Sequence, residues 1–563
     1  MRLLVNKILT ERVFNIFFVI SISSSFFIGL GHIADIYLNN IGEIYIHEVA
    51  SSLVDFLLVI ILTTLLFSFF NKKILIFLPL AWSLIFLWQS MGDFFFVRPL
   101  LVNISGELSL LIIATIFFLI LFRFWDMKLR KLAKFMVLFA LILGLTPILT
   151  GLPTLADSFR QDGARIIDFR RKQIDLDAYK TDSLNGLPDI IYIVPDRYAS
   201  SETLINEYSW DNSKFYEELT QRGFKINKNA ISNYPTTFQS LSSNLNAQYL
   251  SDFEKFTKSF PSDRKPLFTL TEENWAQENL KNLGYHYEHY GFWWERTKFN
   301  KFADKNYVKI IEDQKNPLLF SNLSKVTHVL FNKTPFPLII KKILKIDTNY
   351  LTSCDFTKGK IESLRNLSEA SPEKPLFIYV HMEMPHDPFL FNEYGECQNN
   401  IKYSKKEFND PIYWEGFKRK YINYLKFTNS TLLDIFDSIS ERKKDLIFVI
   451  QSDEGPHPLS WRKFGSIPAD TSKTMTENDW KIKSGIINAI YFSTENSLNK
   501  DDLRTPINNW IHIFNKILNK EIKTMPHNIY GIKGKNDLYN FIELNHIAED
   551  REVFEKKDLD INL

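Results

Sequence analysis

Two adjacent carboxylates, Asp453 and Glu454, close the apolar run Leu446-Ile-Phe-Val-Ile-Gln-Ser452 and are followed by Gly455-Pro456. Neighbouring anions at the rim of a buried segment repel each other unless a cation or strong donors offset their charge, so the pair predicts a metal site. A solvated turn or a helix N-terminus is the competing reading. A second apolar run, beginning at Leu187, ends in another carboxylate, Asp196. Asn233-Tyr-Pro-Thr-Thr-Phe-Gln-Ser-Leu241 puts Thr237 just after a proline-marked turn at the start of a helix, where free backbone N–H groups and the helix dipole favour a bound anion. A hydroxyl there is a candidate nucleophile, and a plain N-cap role for Thr236 or Thr237 is the alternative. In Tyr379-Val-His-Met-Glu-Met-Pro-His-Asp-Pro-Phe389 a strand ends and His386 sits in a short His-x-Pro-Phe loop. The aromatic piece Gly284 to Trp294 can wall a substrate groove, contact lipid heads or pack a core.

The elements that must carry these residues follow from their surroundings. An all-apolar run of four to eight residues bounded by a Gly-Pro turn fits a strand covered on both faces, as in the parallel sheets of α/β proteins. Ligands of such sheets collect beyond the carboxyl ends of the strands. Strands are expected at 187–195, 376–381, 446–451 and 486–492, with a helical pattern around Phe215-Tyr-Glu-Glu-Leu219 that stops at Arg222-Gly223. Their alternation predicts an α/β domain with a mostly parallel sheet. Residues 280–346 are rich in aromatics and lysine and carry no clear period.

Five apolar stretches, 13–30, 53–70, 74–88, 108–122 and 135–149, approach the ~20 residues that cross a bilayer. Arg2, Lys7 and Arg12 precede the first, Lys72 and Lys73 part the second from the third, and Arg123, Lys128, Arg130, Lys131 and Lys134 part the fourth from the fifth. The alternate loops contain only Arg98. The positive-inside rule then sets the amino terminus in the cytoplasm, and an odd number of spans sets the rest outside. A cleaved signal peptide is the alternative for the first span, but no small-residue cleavage site is visible. The expected organisation is a five-span transmembrane domain over 1–150, a juxtamembrane linker over 151–187, an extracytoplasmic catalytic domain over 188–540 and a tail over 541–563. Arg160, Arg165, Arg170, Arg171 and Lys172 suggest a linker helix lying on anionic head groups, or an ordinary solvated linker.

The 563 residues carry 67 Lys and Arg against 65 Asp and Glu, a net charge of +2 that gives nucleic-acid binding no support. The two cysteines, Cys354 and Cys397, both fall in the exterior part, where a disulfide is plausible and two free thiols are the alternative. Oligomeric state is not legible.

A strand to Asp196, a Thr-x-x-Ser-Leu helix start at Thr237, a strand to His-x-Pro-Phe and a strand to Ser-Asp-x-Gly resemble, in that order, the sulfatase and alkaline-phosphatase superfamily. Preceded by apolar spans, the chain looks like the membrane-anchored branch with lipoteichoic acid synthases and phosphoethanolamine transferases. The resemblance implies that Asp196, Thr237, Asp453 and Glu454 bind a divalent metal, that Thr237 is the nucleophile, and that His386 lies beside the transferred group. Glu454 departs from the family pattern, which has His or Asn there. Three carboxylates and a threonine oxygen suit Mn²⁺, Mg²⁺ or Ca²⁺ better than Zn²⁺.

What the resemblance implies for function is transfer or hydrolysis of a phosphoglycerol- or phosphoethanolamine-type group through a phospho-threonine intermediate, with His386 protonating the leaving oxygen. The partners implied are a membrane lipid donor and an envelope glycan or other alcohol acceptor. Sulfate-ester hydrolysis is one alternative, weakened because sulfatases of this fold use a cysteine or serine where Thr237 stands. A catalytically inactive scaffold in envelope polysaccharide assembly is the other, motivated by Glu454. A transporter is disfavoured by the few ionisable residues in the spans.

Overall fold

The computed structural model describes residues 2–40, 42–69, 72–96, scattered positions between 115 and 124, 127–161, 186–251, 261–292, 294–308, 324–336, 353–367, 374–398, 407–442, 445–465 and 467–547. Contacts divide the chain into two compact units, 1–164 with 315–348, and 165–314 with 349–563.

The first unit is helical. Of the five expected spans, three coincide with helices long and apolar enough to cross a membrane, Ile16–Asn39, Ile46–Ser68 and Leu129–Pro153. The expected span at 74–88 lies on the helix Lys72–Phe96, whose apolar part, Ile74–Phe86, is shorter than that. The expected span at 108–122 falls mostly outside the described residues. The count of five is therefore replaced by three among the described residues. Helices Arg2–Asn39 and Leu129–Gln161 approach closely because glycines meet there: a Cβ on Gly144 would stand 2.3 Å from the Phe27 carbonyl oxygen. The short helix Lys325–Asn332, far along the chain, belongs to this unit. Its Val326 and Leu330 are buried with Ile28, Tyr37, Phe56 and Trp82. Thr327 Oγ1 donates to Asp55 Oδ2 at 2.9 Å, and the hydroxyls of Ser324 and Ser52 pair at 2.5 Å. The linker expected over 151–187 lies outside the described residues from 162 to 185, as does the tail beyond 547.

The second unit is built on a seven-stranded sheet of β1 (Asp189–Pro195), β2 (Lys225–Ile231), β3 (His286–Tyr290), β4 (Lys305–Asn306), β5 (Leu376–Met382), β6 (Leu446–Gln451) and β7 (Gly485–Phe492), in the order β2-β7-β6-β1-β5-β3-β4. β1 pairs in parallel with β5 and β6, and β3 with β4 and β5; β7 runs antiparallel to both β2 and β6. The sheet is thus mostly parallel, as expected, with β7 as its reversed member. The central strands read as continuous apolar runs because both faces are covered. Ile191, Ile193, Ile378, Val380, Phe448 and Ile450 face one core, shared with the helix Pro411–Ser440. Ile190, Tyr192, Val194, Phe377, Tyr379, Ile447 and Val449 face the other, shared with Asn509–Leu518. Full burial of each such side chain contributes roughly 1.5–3 kcal/mol. A hairpin of β8 (Tyr530–Gly534) and β9 (Asp537–Glu543) packs with Tyr234, Phe238, Phe268 and Trp461 in a third cluster. Cys354 and Cys397 form a disulfide, their Cα atoms 5.7 Å apart.

Candidate active site

The parallel strands β1, β5 and β6 end at one rim, and the residues that follow them line it. The register pairs Val194 with His381 and Pro195 with Met382, so Asp196 emerges beside the end of β5, its N–H bonded to the Met382 carbonyl at 2.8 Å. β6 delivers Asp453 and Glu454 two and three residues past its end. The reversal of β7 brings its beginning to this same rim, and with it Lys483, the penultimate residue of the helix Glu477–Ser484. Gly455 makes the junction possible. Its N–H donates to the Lys483 carbonyl at 2.8 Å, and a Cβ there would stand 2.2 Å from the Ile482 carbonyl oxygen.

Beyond β2, Ser232 Oγ donates to the Asp453 carbonyl at 2.7 Å, tying the next turn to β6. The helix Thr237–Asn244 begins there, with Thr236 at the N-cap. From Ala230 to Ala247 every residue is buried except Thr237, which is half-buried. Its hydroxyl stands near the Asp453 carboxylate, close enough to draw that group's pKa down against the effect of burial. Asp196, Thr237, His386 and Glu454 line one pocket of about 430 Å³, with Arg197, Arg264 and His457 and the rings of Phe238, Phe292, Trp294 and Trp461. The structure therefore gathers the five residues singled out in the sequence.

Their bonding differs from residue to residue. Asp196 Oδ1, Asp453 Oδ2 and His381 Nε2 are buried without a hydrogen-bond partner. The ligand atoms of these three residues lie within 4.8 Å of one another, close enough to hold one cation. Buried acceptor atoms left without a partner are costly unless something outside the protein satisfies them, so this trio fits a metal ion. Burial first, and then the neighbouring Asp453, push the Asp196 carboxyl well above its ordinary range. Burial and Glu454 push Asp453 up to about 6. Both shifts come first from loss of water, which the positive charge of nearby Lys483 does not offset. Burial and the nearby Lys360 hold His381 well below its ordinary value, so its imidazole is neutral and available as a ligand.

Glu454, expected as a fourth ligand, is held by two cations, with the imidazole of His457, kept neutral by burial, beside them. Its Oε1 lies 2.7 Å from Lys483 Nζ, 3.1 Å from Arg197 Nε and 3.5 Å from His457 Nε2. Arg197 is itself unusual, with φ at 60°, in the left-handed region. Its N–H donates to Asp453 Oδ1 at 3.3 Å and its Nη1 reaches Asp387 Oδ1 at 3.2 Å. Arg462 Nη1 reaches that same oxygen at 2.8 Å. Burial alone would raise the Asp387 carboxyl, but Arg462, His386 and Arg197 outweigh it and hold it below the usual range.

His386 is brought down to about 3 by burial and by Arg197, so it is neutral. Its Nδ1 bonds the Asp387 carbonyl oxygen, which can only accept, so Nδ1 carries the proton and Nε2 keeps its lone pair. Sequence reasoning missed Arg197, His381, Asp387, His457, Arg462 and Lys483. Arg197 and His457 flank chosen carboxylates and were within reach of it. His381 reads as one more strand residue, and Lys483 and Arg462 sit in helices with nothing local to mark them.

Residues 188–506 match the family model described as Sulfatase. Against curated protein sequences the chain has no significant match. Among solved structures it is similar to the C-terminal periplasmic domain of EcEptC from Escherichia coli in complex with Zn, at 11% identity and a TM-score of 0.38 over 65% of this chain and 94% of that one. It is similar also to the integral membrane protein lipooligosaccharide phosphoethanolamine transferase A from Neisseria meningitidis, at 11% identity and a TM-score of 0.35 over 88% of this chain and 94% of that one. A third similar structure is the putative sulfatase YidJ from Bacteroides fragilis, at 13% identity and a TM-score of 0.34 over 63% of this chain and 83% of that one.

Proposed function

The chain belongs to the sulfatase family, and from that premise we propose that it is a membrane-anchored, metal-dependent enzyme that moves or hydrolyses a phosphodiester-linked group by way of Thr237. The observation that carries this reading is the placing of a half-buried threonine hydroxyl, at a helix N-terminus, against a carboxylate that shares three unsatisfied ligand atoms with Asp196 and His381. A divalent ion held by that group would lower the pKa of the hydroxyl and offset charge on the phosphoryl oxygens.

The chain's own residues supply the rest. The Asp453 carboxylate, beside the Thr237 hydroxyl, would orient Oγ1 for attack on phosphorus. The oxygen–phosphorus bond to Thr237 forms as the bond to the first alcohol breaks, the threonine proton passing by way of His386 Nε2 to the departing oxygen, and a phospho-threonine remains. N–H groups in the first turn of the helix Thr237–Asn244 have no partner within the helix and face the anion. His386, neutral with a free Nε2, is poised to take the proton of the incoming alcohol or water in the second half-reaction and to return it to a leaving oxygen. Arg197, Arg462 and Lys483 provide fixed positive charge beside the pocket.

A phospholipid donor and an envelope glycan or alcohol acceptor suit an enzyme that carries apolar helices of membrane-spanning length. The amino terminus is assigned to the cytoplasm and the sheet domain to the outside. The charge asymmetry of the loops supports this, and so does a disulfide, which persists in an oxidising compartment. Sulfate-ester hydrolysis is the second reading, favoured by the family's description; a threonine in the nucleophile position weighs against it.

The test is turnover of a fluorescent phospholipid by the detergent-purified full chain with added Mn²⁺. Diacylglycerol released only with an acceptor alcohol selects a transferase, and release without one selects a hydrolase. Thr237→Ala is expected to lower either rate by about 10⁴-fold or more. Cleavage of an aryl sulfate in preference to the phospholipid would select the second reading.

A further inference from the structure

We propose that His381 is the third protein ligand of the ion, and that Glu454 is withheld from it as the anchor of a buried cationic hub made by Lys483 and Arg197. The proposal rests on the reading that Asp196 and Asp453 hold a metal, and it assigns the remaining residues around them.

Two kinds of acid stand at this rim. Asp196 and Asp453 each keep a buried oxygen with no partner, and His381 Nε2 shares that condition. Glu454 is committed instead. Its side chain is 3% exposed and that of Lys483 is 0% exposed, so the ammonium and the carboxylate are each other's main charge partner inside the protein. Lys483 Nζ makes one further polar contact, to the Gly455 carbonyl at 3.3 Å, and lies 5.2 Å from the Trp461 ring centre. Lending Glu454 to a divalent ion would bring that ion up against an ammonium already bonded to the same carboxylate. Moving Lys483 away would strand a positive charge with no path to water.

The hub is fixed by the backbone. Gly455 is pressed onto residues 482–485 at a separation that admits no side chain, so Lys483 enters from a rigid junction. Arg197 then ties the hub to the ligands. Its left-handed backbone directs its N–H to Asp453 Oδ1, while its Nε holds Glu454.

His381 is prepared on its far side. Its Nδ1 lies 2.8 Å from Thr297 Oγ1, and the ring of Phe292 meets it edge-on at 4.4 Å between centres. If Nδ1–H donates to Thr297, Nε2 presents a lone pair, which is the tautomer a metal requires. Glu454, Lys483 and Arg197 are therefore positioning residues, and the ligand set is two carboxylates, one imidazole and the Thr237 oxygen. Replacing a carboxylate by an imidazole nitrogen shifts preference from Ca²⁺ and Mg²⁺ towards Mn²⁺ and Zn²⁺.

The experiment is chelator-competition titration of Mn²⁺, Zn²⁺ and Ca²⁺ into the detergent-purified full chain, with thermal melts of the same metal-free samples. The expected result is affinity within about threefold of wild type for Glu454→Gln, and a loss of at least about 100-fold for His381→Ala and for Asp196→Asn. Glu454→Gln should lower the metal-free Tm, and adding Lys483→Met should restore part of that loss, because the stranded ammonium is then gone. If Glu454→Gln does not fold, Glu454→Gln with Lys483→Met carries the metal titration. Loss of affinity in Glu454→Gln equal to that in Asp196→Asn, with His381→Ala unaffected, overturns the proposal and leaves the metal reading intact. Wild-type affinity in Asp196→Asn overturns the metal reading itself. Additive melting effects of the Glu454 and Lys483 changes would refute the hub.

Discussion

Asp453 concentrates the conflict that the site must resolve. Buried beside Glu454, its carboxyl titrates at about 6 without metal, against 3.8 for an ordinary aspartate. A folded-state pKa raised in this way means that ionisation opposes folding, a cost of about 3 kcal/mol for a shift of that size. The cost is absent below the unfolded pKa, grows as pH climbs from about 4 to about 6, and is fully present above that. Asp196 is raised in the same sense. Buried neutral histidines such as His386 and His457 act in the opposite sense on the total, so the carboxylate cost is read as a difference: the rise in Tm on adding Mn²⁺ is expected to grow as pH climbs from 4 to 7. Calorimetry with and without metal across that range checks this, and a Mn²⁺-induced rise in Tm that stays constant or shrinks as pH climbs would contradict it. Metal uptake near pH 6 should also release protons, seen as buffer-dependent heats. At this scale the carboxylates were legible because each ends an apolar run, where a charge is conspicuous. His381 was not, because its role arises only from the register that sets it beside Asp196.

At the scale of elements, one reversed strand decides what the rim contains. Were β7 parallel to β6, its beginning would lie at the opposite edge and Lys483 with it. The contact that holds this junction is Gly455 against the 482–485 backbone. Gly455→Ala is expected to destabilise the second unit by about 1–3 kcal/mol, since backbone atoms on three sides cannot yield to a methyl group. A denaturant midpoint equal to wild type would show that the junction has slack. The strands buried on both faces, β1, β5, β6 and β7, were readable as apolar runs. β2, Lys-Ile-Asn-Lys-Asn-Ala-Ile, was not, because it is an edge strand with a largely wet surface and no continuous apolar signal. β3, His-Tyr-Glu-His-Tyr, hides its burial behind polar atoms that are satisfied internally: His289 bonds Tyr287 and the Thr297 carbonyl.

Across the whole molecule, chain order and spatial grouping part company at 315–348, which separates from the sheet domain and joins the membrane-type helices. No sequence pattern marked the excursion, since the contacts that define it, Val326 and Leu330 among Tyr37, Phe56 and Trp82, are long-range. A chain begun at residue 186 would leave Val326, Leu330 and Phe336 without the helices that cover them. It is expected to aggregate in the absence of detergent, and Val326→Ser with Leu330→Ser to relieve this, as size-exclusion chromatography would report. A monodisperse unmodified fragment would mean that the segment finds other cover. The central claim, that Thr237 carries the group being moved, is tested most directly by acid-quenching the full chain during turnover of a fluorescent phospholipid and mapping its peptides by mass spectrometry. The account predicts a phosphate-linked adduct on Thr237 that decays when acceptor is added. Sustained turnover with Thr237 unmodified, or with the adduct on another residue, would contradict it.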